Sequence, residues 1–161
     1  MLLFAQFLGI SAFILAILAF LSRDDIRLKR FAGFSALTLA IHFLMIGSRA
    51  GFVVALISGT RFFLAINNKN QYLPAIFIII YIVLGIILYQ KLSDILPILG
   101  GICGTIAAFY LSGIKMRLLF IMTNIFWLMH NVMYFSIGGM LAEIFMIIAH
   151  IITIYRIWLN R

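Results

Sequence analysis

Seven apolar runs of 15 to 19 residues follow one another along the 161-residue chain with only short polar breaks between them: Leu3–Phe20, Phe31–Ile46, Phe52–Ile66, Leu73–Tyr89, Ile95–Leu111, Leu118–Phe135 and Met140–Trp158. A hydrocarbon core of about 30 Å asks for roughly 20 residues of helix, so the shorter runs must borrow loop residues or thin the bilayer. Seven such helices in succession, with almost no polar face, do not make a soluble bundle. With 66% apolar and 10% charged residues the chain lacks the polar groups to cover a globular surface, and lipid is left as its solvent. The first run has its basic residues after it rather than before it and no small-residue cleavage site, so it is expected to be a retained helix and not a signal peptide.

The net charge of +8 would point to nucleic acid in a soluble domain, but here the basic residues sit only between apolar runs, where membrane orientation accounts for them. Nucleic acid is therefore excluded as a partner. Arg23, Arg27, Lys29, Arg30, Arg61, Lys69, Lys115, Arg117, Arg156 and Arg161 fall on one side of the expected membrane, and Arg49 and Lys91 on the other. The positive-inside rule then predicts an outside N-terminus and a cytoplasmic C-terminus. Cys103 is alone and within an apolar run, which rules out an internal disulfide.

A repeat is written across the chain. Leu21-Ser22 aligns with Leu111-Ser112 at an offset of 90, and Lys29, His42 and Gly51 fall on Arg117, His130 and Gly139 at an offset of 88. The predicted plan is all-α and integral to the membrane, 3+1+3: a three-helix unit over 1–68, a linker helix within 69–91 and a second unit over 92–161. An odd linker gives both units the same orientation, so they are two parallel three-helix bundles about an axis along the membrane normal. Seven helices in this arrangement, with Asn124, Trp127 and Asn131 on the sixth, resemble the superfamily of SWEETs, PQ-loop proteins and nicotinamide riboside carriers. In length and texture the chain is similar, within that superfamily, to the small bacterial inner-membrane YgjV family. The resemblance implies a multi-pass protein of the bacterial inner membrane that carries a small polar solute. The chain departs from the SWEET pattern in its prolines, Pro74 and Pro97, which stand near helix starts, and in having no Pro-Gln pair.

Polar groups at bilayer depth are costly and face the bundle interior, so they are the candidate site. Glu143, His150 and Thr153, spaced by seven and three, share one stripe of span 7. An ionised carboxylate there costs about 2.5–3.5 kcal/mol on insertion scales, so Glu143 is expected to be protonated or paired; a structural acid near the outer surface is the plainer reading. Asn124, Trp127, Asn131 and Tyr134 lie on one face of span 6, with His130 at its edge. The amides can donate and accept, and the indole offers a flat surface to a ring, against the alternative that they only hold helices together. His42, aligned with His130, is either a packing histidine or a solute contact; Ala55 stands where Glu143 falls in the second unit. Gly100 and Gly104 are expected to bring two helices close, and Arg61 to snorkel to the cytoplasmic surface unless it faces inward as an anion contact.

No catalytic constellation, phosphate loop or metal-ligand spacing is present, so neither enzyme activity nor a metal or other cofactor is expected. Two readings remain. A carrier or facilitator for a small polar solute, such as a sugar or nucleoside, would use Asn124, Trp127, His130, Asn131, Glu143, His150 and His42 as its binding residues. The carrier predicts a central polar cavity near mid-membrane built from Asn124, Trp127, Asn131, Glu143 and His150, whereas a non-transporting assembly or regulatory subunit would use the same groups to bond neighbouring helices and leave no cavity. The partners expected are the lipid bilayer and the solute, with a homo-oligomer left open.

Overall fold

The structure, a computed structural model, describes residues 2–21, 25–67, 71–111 and 113–159. Arg23, Asp24, Lys69 and Arg161, and the Ser22 and Ser112 of the offset-90 alignment, lie outside these residues. Seven α-helices follow in order: α1 (Leu2–Leu21), α2 (Asp25–Met45), α3 (Arg49–Asn67), α4 (Leu73–Leu88), α5 (Ile95–Tyr110), α6 (Gly113–Met133) and α7 (Ile137–Leu159), with a 3-10 turn (Leu92–Asp94) ahead of α5. They match the seven apolar runs, except that α2, α3, α6 and α7 begin earlier; α2 and α6 take Arg27, Lys29 and Arg30, and Lys115 and Arg117, into their first turns, and α3 starts at Arg49. The basic residues expected in loops are thus helical. One of them works at once: Lys29 Nζ donates to the Ala65 carbonyl at 2.8 Å, satisfying an orphan acceptor in the last turn of α3.

Four helices are long and apolar enough to cross a membrane by themselves, covering Leu3–Phe20, Arg49–Ile66, Leu92–Tyr110 and Ile137–Leu159, and α4 is a shorter apolar helix. The molecule wears its apolar residues outward. Ile79, Ile82, Val83, Ile86 and Ile87 of α4 are all exposed, a patch no water-soluble surface presents.

Around the bundle α1 packs on α2, α2 on α3, α3 on α5, α5 on α6, α6 on α7, and α7 back on α1; α4 lies against α5 and touches α3. Small residues set the close approaches. A Cβ on Gly100 would strike the Trp127 ring and one on Gly33 would strike Phe63, whereas one on Gly104 would make an ordinary contact with Thr123; of the two glycines expected to bring helices close, Gly100 does so, between α5 and α6. Tyr81 of α4 is fully buried; its ring lies over Gly101 and its hydroxyl meets Ser58 Oγ at 3.1 Å, which pins α4 to both α3 and α5.

Two connections have the same backbone. After α2, Ile46, Gly47 and Ser48 N–H donate to the carbonyls of His42, Leu44 and Phe43; after α6, Tyr134, Phe135 and Ser136 donate to His130, Val132 and Asn131. Every member of the second set lies 88 positions after its counterpart. Both turns pass through positive φ, at Gly47 (80°) and at Phe135 (52°), the left-handed helix ending that glycine favours and a side chain tolerates at a cost. These turns and the 3-10 turn lie at one end of the bundle, here the histidine end; the opposite end, where α2 and α6 begin and α3 finishes, is the basic end.

Arg61 corrects an expectation. It does not snorkel: it is 6% exposed, donates to Thr105 Oγ1 across the α3–α5 seam and lies over the Phe62 ring at 5.4 Å. Its Cα lies six residues, about 9 Å, before the end of α3 at the basic end, and Thr105 on the seam is within direct hydrogen-bond reach.

Candidate functional site

Two histidines close the histidine end by the same device. His42, fully buried, has Nδ1 2.7 Å from the Ala5 carbonyl and Nε2 2.7 Å from Ser136 Oγ. A carbonyl only accepts, so Nδ1–H donates to it and Nε2 accepts from the serine hydroxyl. His130, also fully buried, has Nδ1 3.1 Å from the Ser93 carbonyl and Nε2 2.8 Å from Ser48 Oγ, with the same roles. Ala5, His42 and Ser48 stand 88 positions before Ser93, His130 and Ser136. The pairing is crossed. The histidine of α2 bonds the serine after α6, and the histidine of α6 bonds the serine after α2.

Between the two latches Phe43 of α2 stacks on Trp127 of α6, with centroids 5.6 Å apart at 21°, and His130 meets both rings edge-on. This aromatic plug joins α2 and α6 across the middle of the ring of helices. Trp127, His130 and His42, all candidate residues, therefore form one cluster, but both histidines spend both ring nitrogens on protein partners.

The other candidates lie along the seam of α6 and α7. A Cβ on Gly139 would run into the Asn131 amide, and further down His150 stacks on Phe120 at 5.4 Å and 6°. These two contacts fix the antiparallel register of the helices and put Glu143 at the level of Trp127, between the levels of Asn124 and Asn131. Asn131 is fully buried and neither its Oδ1 nor its Nδ2 has a partner; Asn124 Nδ2 and His150 Nδ1 are buried and unpartnered too. Glu143 lies deep among protein atoms yet keeps accessible surface, and among the described residues nothing bonds its carboxylate. A run of unmet donors and acceptors is unusual for a native interior, where such groups are nearly always satisfied. Glu143 and His150 are seven residues and about 10 Å apart, and no contact joins them directly. Thr153, placed on the same stripe, bonds back to the Ala149 carbonyl at 2.8 Å and offers its hydroxyl hydrogen to nothing else.

Several residues escaped sequence reasoning. Ser48 and Ser136 look like ordinary turn serines, although the offset that pairs the histidines pairs them as well. Tyr81, Thr105 and Ser93 carry no local signal, because each acts through a partner far away in the chain. Two open surface pockets are found among the described residues. One, of about 370 Å³, is lined by Arg27, Arg30, Phe31 and Phe34 of α2 alone; the other, of about 280 Å³, opens at the histidine end among Gly47, Arg49, Leu88, Gln90, Lys91, Asp94 and Tyr134. Neither is lined by Asn124, Trp127, Asn131, Glu143 or His150, the residues expected to build a central polar cavity.

Compared with known proteins, residues 3–161 match the family model Imp-YgjV, described as bacterial inner membrane protein. The chain is 27% identical over 154 residues to the inner membrane protein YgjV of Escherichia coli strain K12, covering 96% of this chain and 84% of that protein. No solved structure matches.

Proposed function

We propose a transport function for this chain, which belongs to the Imp-YgjV family of bacterial inner membrane proteins. It is a carrier or facilitator, not an enzyme, for a small polar solute such as a sugar or nucleoside, bound along the α6–α7 seam by Asn124, Asn131, Glu143 and His150 beside the Trp127 ring. The observation that carries this reading is the set of unpartnered buried atoms on Asn124, Asn131 and His150. An assembly or regulatory subunit would need the same amides bonded to neighbouring helices, and they are not. His42 and His130 act as closures of the site and not as solute contacts.

The 3+1+3 plan and seven membrane crossings belong to the same proposal. Support comes from the common order of packing, α1–α2–α3 and α5–α6–α7, from the two seams α3–α5 and α7–α1 that exchange under the same operation, and from the shared offset of 88. Recognition is one-sided: Phe43, Ala55 and Ala36 occupy the positions equivalent to Asn131, Glu143 and Asn124. In the orientation expected from the basic residues the latches stand on the outer side. Single cysteines at Phe135 (78% exposed) and Lys115, in a Cys103→Ala background, test that orientation: an impermeant thiol reagent added outside should label the first and spare the second, and the opposite pattern would reverse it.

Asn131→Leu separates the two functional readings. Leucine roughly matches the outline of asparagine, so the change removes two unmet polar atoms, each carrying a desolvation penalty of about 1–3 kcal/mol. The variant is expected to melt higher than wild type without solute and to lose the solute-dependent stabilisation that binding gives by mass action, measured in nanodiscs across a panel of sugars, nucleosides and amines. Glu143→Gln should lose that stabilisation at little cost to the fold. A lower melting temperature for Asn131→Leu, with vesicle uptake unchanged in both variants, would mean that the seam is structural.

A further inference from the structure

The geometry points to a binding site for a small anionic group, a phosphate or carboxylate, in the pocket at the histidine end between Arg49 and Lys91. Of the 12 basic residues in the chain, Arg49 and Lys91 alone stand at this end in the sequence. They come from connections 42 positions apart, yet both line one pocket of about 280 Å³, together with Gly47, Gln90, Asp94 and Tyr134. Both side chains are exposed, and in the orientation proposed above cations are the residues least expected on the outer side, so two of them lining one pocket favour an anionic ligand. Asp94 attracts Lys91 electrostatically without forming an ion pair with it, and among the described residues no carboxylate pairs with Arg49. Asp94, the acid in the pocket, has its Oδ2 engaged by the backbone N–H groups of Gln90 and Lys91, at 3.2 and 3.1 Å. Lys91 Nζ lies 4.6 Å from the centre of the Tyr134 ring, and contact with Tyr134, aided by Asp94, raises its pKa, which keeps the ammonium charged.

The equivalent corner of the bundle makes the pocket look built and not left over. At the offset of 88, Asp94 corresponds to Gln6, Arg49 to Ile137, Gly47 to Phe135 and Lys91 to Leu3. There Gln6 reaches across and seals the gap: its Nε2–H donates to the Phe135 carbonyl at 2.8 Å, and its Oε1 accepts from Ile137 N–H at 3.1 Å. At the cationic corner the matching side chain, Asp94, turns back on its own turn and leaves the gap open. Two related corners have thus diverged, one closed and apolar, one open and twice positive. The guanidinium gives a planar fork and the ammonium a point charge, a pairing suited to an oxyanion. Arg49 and Asp94 directly follow Ser48 and Ser93, the two partners of His130, so an anion here would tie together the loops that the second latch joins.

Inorganic phosphate and a phospholipid headgroup offer the same chemistry, and nanodisc composition separates them. In discs of phosphatidylcholine the full chain is expected to gain about 4 °C in melting temperature at phosphate tenfold above its Kd, relative to chloride at matched ionic strength; Arg49→Gln/Lys91→Gln should lose the gain and melt like wild type without phosphate. In discs with phosphatidylglycerol, stabilisation already present without phosphate and lost in the same double variant would identify the lipid headgroup as occupant. Arg49→Lys, which keeps the charge, should retain part of the response and guards against reading a folding defect as lost binding. No stabilisation in either disc, or an equal one in the double variant, would overturn the site.

Discussion

Gly138→Ala is expected to lower the melting temperature of the protein by about 6–12 °C, the largest effect of any single methyl group in the molecule. At Gly138 the helices α1 and α7 touch backbone to backbone: an added Cβ would fall on the carbonyl of Gly9 and the amide of Ile10. Neither can turn aside as a side chain can. To admit the methyl, α1 must move away from α7, and the move would loosen the Phe13–Phe145 and Phe20–Phe145 edge contacts further along the seam. Overpacking a well-fitted interior costs about 1–3 kcal/mol, and the upper end applies where backbone is the obstacle; for a chain of this size each kcal/mol is worth about 2–4 °C. Gly85→Ala is the control. Its Cβ would meet the Ile98 side chain at 3.2 Å, which can adjust, so its effect should be within a few degrees. Thermal unfolding in one detergent measures both, and equal melting temperatures for the two variants would refute the close approach of α1 and α7.

Why these helices were readable and their contacts were not follows from what sets each. Helix positions come from runs of apolar residues, a local property, and all seven were legible. The early starts of α2 and α6 were not, because a basic residue in a first turn and one in a loop look alike in hydropathy. Arg61 shows the limit of a rule that considers one helix at a time: snorkelling is the outcome for an isolated helix, and Thr105 on another helix overrides it. The polar stripe of α6 was readable from its spacing, and so was the shared stripe of Glu143 and His150, but not the partner of each group. His150 gives its face to Phe120, an apolar residue that carries no signal. The alignment at 88 was the richest clue, since it relates turns, latches and seams together. It was strongest where residue identity was weakest, in backbone bonds that no single side chain encodes.

Cutting both latches should open the histidine end. Ser136→Ala leaves His42 Nε2 buried without a donor, and Ser48→Ala does the same to His130; a buried group left unmet costs about 1–3 kcal/mol, although hydrogen bonds between membrane helices average nearer 0.6 kcal/mol because the separated state also finds partners. The larger figure applies here, since both rings are fully buried and packed against Phe43, with no lipid or water to replace the lost hydroxyl. At about 1.4 kcal/mol per tenfold, removing both bonds shifts the closed-to-open ratio by about 30-fold or more. Trp127 reports the change. It lies one turn below His130 and stacks on Phe43, so an aqueous quencher reaches it only when the latches part. In a Trp158→Phe background, where Trp127 is the remaining tryptophan, iodide quenching is expected to rise in Ser48→Ala/Ser136→Ala, with each single variant giving a comparable part of the rise. Their stabilities should differ even so: Ser48 Oγ also accepts from Gly51 N–H at 3.1 Å as a helix cap, worth about a further 1 kcal/mol, so Ser48→Ala should melt lower than Ser136→Ala. Quenching that stays at the wild-type level in the double variant, or that one serine alone accounts for, would show that the crossed histidine–serine pairs do not hold this end shut.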